Sequence, residues 1–184
     1  MTQTHAWLGA GLIATALTVA PVAAQQGGAA TSGSLKGPDR AFLAEATKGN
    51  RGEVALARLA QQQADSQAVR DLAQAIETDH HQANETLQSI AASVGAADND
   101  TELEPKHRQL QERLSRLAGA AFDRVYASEM VKDHQKDIRA YEKASRQLQH
   151  ADLKAYATAS LPKLKQHLEH ARTVQQAGGQ PGTQ

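Results

Sequence analysis

From residue 39 onward, apolar side chains recur at alternating three- and four-residue steps, with charged and amide residues between them. That period puts one apolar stripe along a helix, whereas a strand would alternate every second residue. The pattern predicts four long helices and a short one. The first spans 39–64 with Asp39 as N-cap; the second spans 66–95, opened by Ser66 and closed by Gly95. Thr101 to Glu104 reads as a capping box for a short helix ending near Arg116. Gly119 interrupts the pattern, and a third long helix follows to Leu148. The fourth covers 152–175, with Pro162 inside it predicting a kink. β-Branched residues are sparse and no strand-like alternation appears. The class is all-α.

The first and second long helices are joined by very few residues, as are the third and fourth, so each pair reads as an antiparallel hairpin. The middle connection, 95–118, is long enough to travel back along a helix of about 28 residues, roughly 42 Å. Two hairpins joined by one long crossover carrying a short helix make a ferritin-like four-helix bundle.

Each stripe carries one ionisable residue near its middle. The second runs Val69, Ala73, Ile76, His80, Ala83, Leu87; the third runs Phe122, Tyr126, Met130, His134, Ile138, Tyr141. The first places Glu53 between Gly49 and Leu56, and the fourth places His167 between Leu164 and Ala171. Counted from the predicted starts, their heights agree: 53 − 39, 80 − 66 and 134 − 120 all equal 14, and 167 − 152 is 15. Glu53, His80, His134 and His167 are therefore expected to converge at mid-height.

Buried polar groups need partners, and buried charge is costly. Two arrangements answer that need. One is a metal-free hydrogen-bonded network that fixes helix register. The other is a four-ligand site for one divalent transition metal, with zinc, iron, copper, manganese and nickel all compatible with imidazole and carboxylate. Glu77, Asp79, Asp133 and His170 are auxiliary candidates. Glu77 and His80 match the Glu-x-x-His of di-iron bundles, but Leu164 stands where the second such motif needs its Glu. Asp79 and Asp133 fall off the stripes; they can support the site histidines as acceptors only where local geometry turns them back, and are expected mainly in surface ion pairs. His170 is a candidate fifth ligand. His107 and His150 lie in connections and read as surface, and Tyr126 and Tyr141 read as core.

Composition removes other classes. Twenty basic residues balance twenty acidic ones and aromatics make up 3%, too few for stacking on nucleic acid. No cysteine is present, so disulfides, thiolate metal sites, thiol catalysis and a lipobox are excluded. No barrel pattern, Ser-His-Asp arrangement or phosphate loop stands out. The apolar run 8–20 is shorter than the roughly 20 residues of a membrane span. It is followed by Val22-Ala23-Ala24, so a signal peptide 1–24 with cleavage between Ala24 and Gln25 is expected. Residues 25–37 then read as a flexible linker, 38–176 as the bundle and 177–184 as a disordered tail, in a periplasmic or secreted protein with no membrane span after processing. Protein partner and oligomeric state are not legible.

Three segments carry a resemblance: Phe122-Asp123…Tyr126…Met130-Val131…Asp133-His134, Ala75-Ile76…Asp79-His80 and Leu161-Pro162…Leu164…His167. Over 38–174 the chain resembles the bacterial family known as domain of unknown function 4142, exported proteins often labelled outer-membrane proteins. The resemblance implies a ferritin-like bundle and an envelope location, and its Glu and three His match Glu53, His80, His134 and His167. It supplies no biochemical function. The first expectation is an exported protein binding a transition metal for metal handling or envelope stress protection. The second is a metal-free structural or interaction module. The third is a metal-dependent oxidase or peroxidase.

Overall fold

The computed structural model describes residues 35–96 and 101–178. The expected signal peptide with its Ala24–Gln25 cleavage, most of the expected linker, and residues 179–184 lie outside the described residues. Among the described residues all regular structure is helical: α1 Gly37–Gln63, α2 Gln67–Ser93, α3 Pro105–Ser115, α4 Gly119–Gln147 and α5 Ala151–Gly178.

The helix ends differ from the sequence reading for local reasons. Helix α1 opens at Gly37 with Pro38 in its first turn, where a missing N–H costs nothing. Asp39 is therefore inside the helix and not its cap. The capping box is also absent, because α3 opens at Pro105 after Glu104, whose side chain makes no capping bond. Ser66 does cap α2, accepting from the Val69 N–H at 3.3 Å. Gly95, at φ +65°, ends that helix in the left-handed region that glycine enters freely. Pro162 sits exposed within a continuous α5, which runs on to Gly178, two residues into the expected tail.

Asp39 has a more distant partner. Buried in the first turn of α1, it accepts from the backbone N–H groups of Gln149 at 3.0 Å and His150 at 3.2 Å, in the bend between α4 and α5. Near the start of α4, Asp123 does the same for the bend between α1 and α2, accepting from Asp65 at 3.0 Å and Ser66 at 2.8 Å. The two clasps are one sequence step apart (123 − 39 = 150 − 66 = 84), so the two hairpins repeat one design. They also fix direction. Helix α1 starts beside the α4–α5 bend and α4 starts beside the α1–α2 bend, so α1 and α4 run antiparallel. The chain from α2 to α4 must therefore return along the length of the long helices, carrying α3.

Helix α1 packs mainly on α2, α4 on α5, and α2 on α5. The α1–α4 face is looser, and α3 lies across it. The core forms two apolar blocks. Leu56, Val69, Leu72, Ile76, Phe122, Tyr126 and Met130 belong to one. Leu43, Leu87, Tyr141, Leu148, Leu153 and Leu164 belong to the other. Between them along the helices lie Asn50, Glu53, His80, His134 and His167, all buried. Because this polar layer is wedged between close-packed hydrocarbon, its side chains have little freedom to swing toward water.

Candidate metal centre

The helices bring the four residues read from the stripes together. His134 is fully buried, and Glu53, His80 and His167 expose only 2%, 4% and 2% of their surface. Glu53 Oε2 lies 2.9 Å from His80 Nε2 and 3.6 Å from His134 Nε2. His134 Nε2 lies 3.3 Å from His167 Nδ1. One nitrogen from each of His80, His134 and His167 falls within 4.8 Å of the other two. Three rings thus face one point, with the Glu53 carboxylate beside two of them.

The outer edge of each ring decides what the inner edge offers. His134 Nδ1 is 3.0 Å from the Met130 carbonyl, and a carbonyl only accepts. His167 Nε2 is 2.9 Å from Asp79 Oδ2, also an acceptor. His80 Nδ1 is 2.9 Å from Asn50 Oδ1, while Asn50 Nδ2 donates to the Tyr156 hydroxyl at 3.2 Å. Each outer nitrogen therefore carries an N–H, so a ring in its neutral form turns a lone pair inward. Glu53 Oε2 adds another acceptor. It lies 2.9 Å from His80 Nε2, which donates to it only when that ring carries a second proton. With all three rings neutral, the centre would consist of acceptors with no donor among them.

Titration follows from this crowding. Burial pushes the Glu53 carboxyl up, but the imidazoles of His134, His80 and His167 outweigh it and hold the carboxyl below the usual range. Burial pushes His80 down, and the adjacent Glu53 carboxylate more than reverses that. Burial lowers His134, with Glu53 opposing. Burial and the neighbouring rings bring His167 to about 4. Two of the three rings thus resist protonation.

The auxiliary candidates separate. Asp79, expected in surface ion pairs, turns back to hold His167 while also meeting Lys163 Nζ at 3.2 Å. The cause is position: α5 passes beside α2 at this height, which puts His167 within reach of an off-stripe side chain. Glu77 stays outside, paired with Arg58 at 2.6 Å. Asp133 touches none of the rings. It borders a cavity between α1 and α4, where burial raises its carboxyl to about 6. His170 is outside the cluster, beside Asp71 and Gln74 in a shallow surface pocket. His107, read as surface, is buried, because its ring lies against Gly52 of α1.

Sequence reading passed over three neighbours of the centre. Asn50 lies one turn before Glu53 on the same stripe, a signal that was available. Tyr156 gave none, since a tyrosine on an apolar stripe reads as core. Asp137, one turn after His134, is raised to about 7 chiefly by burial and then by Glu53.

A family profile, described as Domain of unknown function (DUF4142), matches residues 24–174. The chain belongs to this family. No curated protein and no solved structure matches it. Among the described residues, no helix is long and apolar enough to cross a membrane.

Proposed function

We propose that this DUF4142 chain is an exported, ferritin-like bundle that binds one divalent transition metal through Glu53, His80, His134 and His167, and that it serves metal handling or envelope stress protection. One observation carries the reading. Three buried imidazole nitrogens lie within 4.8 Å of one another with the Glu53 carboxylate beside them, a donor set that a divalent cation would satisfy. Outer-edge acceptors on every ring add support, because metal-binding histidines are oriented that way. Three imidazoles and one carboxylate suit zinc, and equally suit iron, copper, manganese or nickel.

The experiment is elemental analysis of tag-free protein beside His134→Ala. About one equivalent of metal in the parent, lost in the variant, is the expected outcome. Substoichiometric metal that the variant retains would end the proposal.

A second reading rests on the 2.9 Å His80–Glu53 approach. If the proton sits on His80 Nε2, the pair is an ion pair and the layer a metal-free register lock. Full thermal stability after exhaustive chelation would favour this second reading.

A further inference from the structure

The loose face between α1 and α4 encloses a cavity of about 520 Å³ that reaches from the surface to Glu53. Its inner wall carries Asp133 and Asp137, one turn apart on α4, with His107 of α3 opposite. Glu45 and Glu104 stand farther along, and Lys106, Lys136 and Lys143 also line it. Lys106 is tied to Glu104 at 3.2 Å, so carboxylates prevail along the path.

Two further observations point to a ligand. Glu53 Oε2 is buried, has no hydrogen-bond partner and borders this cavity. His107 Nδ1, packed against Gly52, is likewise buried without a hydrogen-bond partner, Glu104 Oε2 lying 3.8 Å away. Among the described residues, only His80, His134 and His167 bring ligand atoms close enough together to close on one ion. The cavity carboxylates are more widely spaced, as suits a hydrated cation held briefly. The opposite cavity, about 610 Å³ between α2 and α5, is lined more by apolar groups; it carries Asp79, Asp152 and Lys163, and His80 and His167 of the centre border it. The cavity on the α1–α4 side carries more carboxylates, five against two.

The geometry points to Asp133, Asp137 and His107 as an outer, transient site that receives hydrated divalent cations and passes them to Glu53. This rests on the metal-binding reading above and adds the route. Cations move down the carboxylate-lined cavity, exchange water for side-chain oxygen, and reach the three imidazoles through the one ligand that borders both spaces.

The test is stopped-flow loading of the chelated full-length protein with Co²⁺, whose absorption reports tetrahedral coordination, in the parent and in Asp133→Asn/Asp137→Asn. Local fields of this kind change association rates by about 10-fold or more. The double variant should reach the same final absorbance and stoichiometry at least about 10-fold more slowly, with a flatter dependence on ionic strength. His107→Gln should also slow loading without changing the endpoint. Loading rates within about twofold of the parent, with tight binding intact, overturn the route and leave the central site standing. A lowered endpoint overturns it too, because the carboxylates would then belong to the centre. Absence of the Co²⁺ band in the parent removes the central site and the route together.

Discussion

Ring orientation governs the chemistry at the level of single residues. Asp79 and Asn50 each accept an outer N–H, and losing either acceptor frees a ring to turn or change tautomer. Asp79→Ala should weaken metal binding about 10- to 100-fold in competition with a chromophoric chelator. Glu77→Ala, which removes the contacts with Arg58 and Gln61 and none to the rings, should leave affinity unchanged. Gly52 offers an independent check. A Cβ there would lie 2.1 Å from His107 Nδ1, so Gly52→Ala must displace the ring. The substitution should cost about 1–3 kcal/mol in urea unfolding, and Gly52→Ala/His107→Ala should recover part of that. The four central residues were legible because helical periodicity fixes which positions face inward. His107 was not, since its burial depends on where a crossover helix lands. The only hint was a glycine in mid-helix, a common mark of close approach.

At the level of elements, sequence propensity placed the helices and tertiary contacts reassigned their ends. Asp39 looked like a cap because it precedes an apolar stripe. Its partner is a bend more than a hundred residues away, which no local rule reveals. Asp39→Ala and Asp123→Ala should each lose about 1–2 kcal/mol, seen as a fall in Tm of about 2–4 °C per kcal/mol. Helix α4 also carries a strained acid. Asp137 is raised to about 7 in the fold against an ordinary value near 4, first by burial and then by Glu53. The folded state therefore holds a proton that the unfolded chain gives up, and stability drains away as pH rises from about 4 to about 7. In metal-free protein, Asp137→Asn should raise Tm at pH 8, by the equivalent of about 1–2 kcal/mol, and change little at pH 4. An equal gain at both pH values would show that the carboxyl is not desolvated.

For the whole molecule, metal and protons compete for the same lone pairs. Raised His80 favours the metal-free fold at mildly acidic pH, an advantage lost as pH rises through its folded value. Lowered Glu53 contributes stability above its unfolded value, lost on strong acidification. Bound metal needs His80 deprotonated, so the difference in Tm between loaded and chelated protein should shrink from pH 7 to about pH 5. A constant difference across that range would mean that no imidazole holds the ion. The matched aspartate clasps have a consequence for the integrity of the chain. Each half anchors the turn of the other, so the covalent link through the crossover is not what keeps them together. A protease nick near residue 100 should leave two fragments that co-elute, and the separated pieces should reassociate on mixing.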